Sequence, residues 1–393
     1  MLPDDLADAA VPPSAYFDTA AAAPPVPEAV DAAVAYLRRT AVEGPYLPSL
    51  RREVYERIEQ VRAAVAGFLH AQPEEIAFTR NGTESISLVA RGIRWQPGDE
   101  VIVPDTEMLS NVAIWRMLEA EVGIRVVPFA AGADGMLDPE RLGAAITPRT
   151  RLITFVALSN VTGATQPVAE ICRIAAAAGV LTHVNAAQAI GMLPLGFSSW
   201  QADFVSACSR KGLRGIEGSG ILAVRRHLVP DLVPALAGWW NATQEDGSIR
   251  LPDTARRFEA GSPNVPAILA LGAAVEVAER LGIDTIHARV VELTGAAVRG
   301  IRSIPGAEVY GPSDENRLSI IPFNVAGVDP RELTDHLESR GIIIEAGHFM
   351  ATPILTSYGI SSMARASVHY FNTIDEIDRL VAEITAFAGK ESA

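Results

Sequence analysis

From about residue 76 to residue 224 the chain alternates short apolar runs with longer stretches of helical spacing, and this alternation constrains the fold more than any other feature. The apolar runs are Glu100–Pro104, Ile124–Phe129, Arg151–Val156, Val180–Val184 and Gly220–Val224. Between them, Ser110–Glu121 and Val168–Ala178 carry apolar residues at the period of a helix with one buried face. Parallel strands need such crossovers, and strands covered on both faces read as continuous apolar runs. An α/β fold with a large, mostly parallel sheet is expected. Residues 1–25, rich in Ala and Pro, read as an irregular arm, and Glu28–Thr40 and Leu50–Leu69 read as helices. Residues 225–265 are irregular. Helical stretches at Pro266–Leu281 and Ile286–Ile304 lead into strands at Arg317–Phe323, Gly341–Glu345 and Ala364–Tyr370, an α+β pattern. A chain of 393 residues is too long for one ordinary core. The expected division is an arm over 1–25, a large domain over 26–265 whose first helices pack toward the small domain, and a small C-terminal domain over 266–393.

Composition removes several function classes. The net charge of −14 argues against nucleic acid or an anionic membrane as partner, because phosphate-rich surfaces select basic proteins. The two cysteines, Cys172 and Cys208, have neither metal-site nor disulfide spacing, and no metal is expected. The acidic start Met1-Leu-Pro-Asp-Asp-Leu6 lacks the basic region of a signal peptide. No apolar run reaches the roughly 18 residues needed to span a bilayer. The expected compartment is the cytoplasm.

The chemistry centres on Ser206-Ala-Cys-Ser-Arg-Lys-Gly-Leu-Arg-Gly-Ile-Glu-Gly-Ser-Gly220. Lys211 stands between a small, hydroxyl-bearing run and a glycine-rich turn that leads into the apolar strand 221–224. A lysine that forms a Schiff base needs a fixed stem, nearby anion donors and closely approaching backbone. Upstream, Thr182-His-Val-Asn-Ala-Ala-Gln188 closes an apolar strand. Together the two segments resemble the core of the class V aminotransferase and cysteine desulfurase family of pyridoxal-phosphate (PLP) enzymes. The turn after Lys211 is similar to the family's Lys-x-x-x-Gly-Pro-x-Gly-x-Gly, with Ile216 for the proline. The resemblance covers roughly residues 15–390. It implies PLP fold type I (aspartate aminotransferase-like), a homodimer and an amino-acid substrate.

Residue by residue, the resemblance implies four services. Lys211 carries the cofactor aldehyde and is the base for the Cα proton. The phosphate falls to Gly82 and Thr83 in Phe78-Thr-Arg-Asn-Gly-Thr-Glu84, where a helix N-terminus offers free N–H groups; a capping box explains part of that pattern. Arg210 adds a charge-assisted contact. Cys208 takes the place of a hydroxyl residue, with Ser209 as the alternative donor. Ser262, in Arg257-Phe-Glu-Ala-Gly-Ser-Pro-Asn264, takes the place of the residue that reaches the partner subunit's phosphate. Gln188 corresponds to the contact with the phenolic oxygen, Met108 lies on the ring face, Asn185 meets the pyridine nitrogen, and Asn160 lies on the substrate side. Arg365, in Ala364-Arg-Ala-Ser-Val-His-Tyr-Phe-Asn-Thr373, corresponds to the arginine that binds the α-carboxylate; a structural pairing with Asp375 or Glu376 is the alternative.

The sequence also departs from the family. The desulfurase loop Gly-His-His-Cys-Ala-x-Pro reads Gly347-His-Phe-Met-Ala-Thr-Pro353, so Met350 stands at the nucleophile position, and a thioether cannot become a thiolate. Glu345 stands where desulfurases carry arginine. Asn185 replaces an aspartate that would keep the pyridine nitrogen protonated. A neutral partner weakens the electron sink and favours expulsion of a good leaving group from Cβ over transamination. The expected activity is that of a PLP-dependent carbon–sulfur β-lyase cleaving a cysteine S-conjugate to a thiol, pyruvate and ammonia, similar to the lyases of ergothioneine and lincosamide assembly. A decarboxylating deaminase, an epimerase and an aminotransferase are alternatives within the family. A non-enzymatic PLP-binding protein would have no need of Lys211, Gln188 and Arg365 together. Trp239, Trp240, Tyr46 and Phe349 are candidates for lining a pocket for a large thioether.

Overall fold

The computed structural model describes residues 14–194 and 196–391. Its centre is a seven-stranded sheet in the order Ile76–Thr79, Gly220–Val224, Phe204–Cys208, Leu181–Asn185, Thr150–Val156, Glu100–Pro104, Arg125–Phe129. Six strands share one direction, and only Gly220–Val224 runs against its neighbours. Five of these seven strands are among the expected ones; Ile76–Thr79 and Phe204–Cys208 are not, the latter falling partly in the small-residue run before Lys211. Both are buried at every residue, so neither carries an alternation to mark it as a strand.

The strands divide their side chains between the two faces of the sheet. Val101, Val103, Phe204, Leu222 and Val224 fall in one apolar core, whereas Ile102, Val205, Ile221 and Ala223 fall in the other. This is the period of two expected of a pleated strand. The second core continues without a break into a four-stranded antiparallel sheet, Ala307–Val309, Ile320–Val325, Met363–Ser367 and Glu345–Gly347. Helices Ile283–Arg302 and Pro330–Ser339 pack on that sheet, and Ile374–Glu391 packs on those two helices.

Within the arm expected to be irregular, Ala15–Tyr16 pairs in parallel with Ile342–Ile343, and Phe17 is fully buried. Residues 1–13 of that arm, including the acidic start, lie outside the described residues. Pro27–Glu43 and Pro48–Phe68 both pack on Val265–Leu281, so the expected boundary at 265/266 coincides with the start of a helix whose main neighbours precede it in sequence. The irregular stretch 225–265 contains one hairpin, Thr243–Glu245 with Ser248–Arg250.

Two glycines show why the lysine segment has its composition. A Cβ on Gly220 would come within 2.8 Å of the Asn81 backbone, and one on Gly212 within 2.1 Å of the Ile190 carbonyl oxygen. Backbone thus approaches backbone on both sides of Lys211, which only glycine permits.

Candidate active site

The carboxyl ends of the parallel strands converge on an inner cavity. Val156 ends one strand and Asn185 the next, Cys208 ends a third, and the turn beyond it carries Arg210 and Lys211; all five line the cavity. Open α/β sheets place ligand crevices at such strand ends. Gly82 and Thr83 enter from the helix Gly82–Gly92. Asn81 caps that helix, its Oδ1 accepting from the Glu84 amide at 2.9 Å, which leaves the Gly82 and Thr83 amides for an anion.

Lys211 is 8% exposed, and among the described residues its amine has no hydrogen-bond or ion-pair partner. Burial above all holds it below the usual lysine range; the neighbouring Cys208 opposes this, and Arg210 and Arg365 add to it. The turn is held from several sides. The Ser209 hydroxyl lies within hydrogen-bonding distance of the Ile216 carbonyl oxygen (2.7 Å) and of Oγ of Ser219 (2.7 Å). The Arg210 and Arg214 carbonyls accept from the Ala23 and Val26 amides, and Arg214 lies over the Phe371 ring at 4.5 Å.

Most of the residues singled out in the sequence meet here. Met108, Asn160, Arg210 and Lys211 line both the inner cavity and an outer one of about 380 Å³, where they are joined by Arg365, Glu345 and Phe349. Gln188 donates from Nε2 to the Ala20 carbonyl at 2.8 Å, while its buried Oε1 has no partner. The Asn185 Oδ1 accepts from the Ala187 amide at 3.1 Å, so the Asn185 amide nitrogen is the free end of that side chain. Arg210 and Lys211 are the cationic side chains of the inner cavity, and no carboxylate lines it among the described residues.

Two expected residues are not brought in. Ser209 is consumed by its own turn and does not line the cavity; Cys208 does. Ser262 is exposed in a separate depression with Arg80, Trp240 and Asn264, where it faces no cavity residue of its own chain. Of the four aromatic residues, Phe349 lines the outer cavity. Tyr46 and Trp239 are more than half exposed, and Trp240 packs edge-on against Tyr55.

Arg365 is buried, and its partner is Asp18 at 2.9 Å, not Asp375 or Glu376; Nη1 donates to the Asn160 carbonyl at 3.1 Å, and Nε has no partner. The Phe349 ring covers the guanidinium at 4.2 Å. Burial opposes both charges of the pair: it lowers the Arg365 pKa and raises that of Asp18. Asp18 sits in the stretch expected to be an irregular arm, and the consecutive buried residues Phe17, Asp18 and Thr19 carry no alternation that would mark it. Phe349 and Met350 both adopt left-handed backbone, φ 49° and 57°, which few non-glycine residues do. Met350 is 53% exposed at the mouth. Neither thiol lines the outer cavity, Cys208 lying in the inner one; burial pushes Cys172 up to about 12 and raises Cys208 as well.

Behind the strand ends runs a buried polar chain. Glu107 accepts from the Val156 amide (2.6 Å) and from Asn111 (2.7 Å), Asn111 accepts from Thr154 (2.9 Å), Thr154 meets His183 Nδ1 (2.7 Å), and His183 Nε2 meets Ser206 (2.9 Å). Burial lowers the His183 pKa to about 3 and raises that of Glu107 to about 7. The chain ties the Met108 turn to the strands that carry Val156 and Asn185.

Among the described residues no cluster suited to a metal ion occurs, and no helix is long and apolar enough to cross a membrane. The family described as aminotransferase class-V matches residues 15–380. A probable cysteine desulfurase of Methanothermobacter thermautotrophicus is 35% identical over 95% of this chain and 94% of its own length. The apo structure of a cysteine desulfurase from Thermococcus onnurineus superimposes with a TM-score of 0.93, covering 99% of both chains at 26% identity. The cysteine desulfurase CsdA of Escherichia coli superimposes at 0.88, covering 96% of this chain and 95% of its own, at 29% identity. With this sheet order and this lysine turn, the chain belongs to the aminotransferase class-V family, in its cysteine desulfurase-like group.

Proposed function

We propose that this protein is a PLP-dependent carbon–sulfur lyase that eliminates a thiol from the β-carbon of a cysteine S-conjugate. With one water consumed, the products are the thiol, pyruvate and ammonia. The residues fit the cofactor. A buried, unpaired lysine, the free amides of Gly82 and Thr83, the cation Arg210 and the orphaned Oε1 of Gln188 all belong to one cavity. PLP, when bound, supplies an electron sink for the bonds at the amino acid's α-carbon. Lys211, kept short of its usual basicity by burial, is the base placed to take the Cα proton. Arg365 holds the α-carboxylate with its free N–H groups, and Asn160 fixes the guanidinium through its carbonyl. The Met108 side chain packs on the ring face.

The observation that carries the choice of elimination is Asn185. Its carbonyl oxygen is held by Ala187 and its amide nitrogen is left as a donor, in a cavity lined by no carboxylate among the described residues. A donor suits an unprotonated pyridine nitrogen, and the weaker sink favours rapid loss of a leaving group. Met350 at the mouth supports the same reading, since it cannot accept sulfur as a thiolate would.

The PLP-loaded protein incubated with a panel of cysteine S-conjugates should release thiol, pyruvate and ammonia in equal amounts. Alanine and persulfide from free cysteine, or amino transfer to a 2-oxo acid as the main reaction, would overturn the proposal.

A further inference from the structure

The outer cavity does not end at Arg365. Arg331, Glu345 and Ala346 line both it and an adjoining hollow of about 480 Å³ that is further bounded by Asp18, Thr334, Asp335 and Glu338. We infer that this hollow selects a substrate whose side chain ends in a cation, an amine or quaternary ammonium group, and that Glu345 sets the preference. For the Cβ–S bond the inference rests on the lyase reading.

Free cysteine would leave the hollow empty, so its occupant is the substituent beyond sulfur. Its charge follows from what remains unpaired. In the loaded site Lys211 and Arg210 face the cofactor, and Arg365 already shares Asp18 while meeting the α-carboxylate. Arg331 alone then opposes Glu345, Asp335 and Glu338. Among the described residues none of these four side chains has an ion-pair or hydrogen-bond partner. One cation against three carboxylates leaves this exposed lining negative overall, although Glu345 also feels Arg365 across the strands. Glu345 is the cross-strand partner of Arg365, which places a carboxylate next to the α-carboxylate site. A second anion on the substrate would meet Glu345 and Asp18 together; a cation would be drawn to them. Glu345 lines the cavity that holds Lys211, whose buried amine is unpaired, and Arg365, as well as the hollow that Asp335 and Glu338 bound, so it faces the same molecule that those two cations hold.

Lysine, norleucine and 2-aminoadipate test this without any leaving group, by titration of the visible absorbance of the PLP-loaded protein. Affinity should fall in that order, on the order of tenfold per step, and the spread should shrink in 1 M salt. Glu345→Gln should narrow the spread about tenfold, and Asp335→Asn should narrow it less. Equal affinities, or 2-aminoadipate binding most tightly, would overturn the inference. Failure of the lyase reading looks different: S-(2-aminoethyl)cysteine would bind in its expected rank yet release no thiol.

Discussion

Replacing Asn185 by aspartate changes one atom and should change the reaction. In the parent protein Oδ1 accepts from the Ala187 amide at 3.1 Å. An aspartate keeps that bond with one oxygen and turns the other to where the amide nitrogen was. The inner cavity thereby gains a carboxylate it lacks. A pair of unit charges about 4 Å apart in surroundings of effective dielectric ~20 is worth about 4 kcal/mol. At 1.36 kcal/mol per unit, this raises the pKa of the cofactor's ring nitrogen by about three units. The variant's ring should then be protonated at neutral pH, and the parent's should not. Without cofactor the half-buried carboxylate lies in the same cavity as Lys211 and Arg210, so the melting temperature should move little. Both proteins are loaded with PLP, their visible spectra are followed against pH, and pyruvate is measured against pyridoxamine phosphate with one S-conjugate. The variant should shift its spectral titration upward and divert product toward pyridoxamine phosphate. Identical titrations and an identical product ratio would refute the assignment of Asn185 as the residue that sets the reaction.

Borohydride reduction followed by peptide mapping should place the cofactor adduct on Lys211, and Lys211→Ala should lose turnover while keeping its far-UV spectrum; an adduct on another lysine ends the assignment. Arg365→Ala should lower kcat/KM by about 2–5 kcal/mol equivalent, the range for truncating one partner of a buried charge pair, with cofactor absorbance retained; unchanged amino-acid binding would assign Arg365 another task. Ser262→Ala should weaken PLP retention by about 0.5–1.5 kcal/mol in a homodimer, and a fully active monomer at micromolar concentration would contradict the shared site. Glu107 has a folded pKa raised by burial from 4.5 to about 7. Its contribution is complete below pH 4.5 and is lost as pH rises through 7, about 3 kcal/mol in all. Urea unfolding at pH 5 and pH 8 should therefore show the parent losing stability relative to Glu107→Gln; parallel curves would show that Glu107 does not carry this pH dependence.

The sequence by itself determined the class of fold and the position of the lysine. Apolar runs buried on both sides and helical spacing between them admit little besides a sheet covered by helices. The density of glycines after Lys211 follows from backbone meeting backbone at Asn81 and Ile190. Asn185, Gln188 and Lys211 were legible together because they lie at the ends of neighbouring strands, where short motifs keep their spacing. What only the tertiary structure decided involves residues far apart in the chain. Asp18 and Arg365 are 347 positions apart, and Asp18 lies just past the two-residue strand Ala15–Tyr16, in an isolated bridge to Ser367. Ser209 looked like an anion donor until the turn closed on its hydroxyl. The orientation of the Asn185 amide depends on the Ala187 amide two residues on, which no composition or spacing reveals. The acidic hollow is assembled from the arm, a helix and an edge strand, so its charge exists only once those three elements have packed.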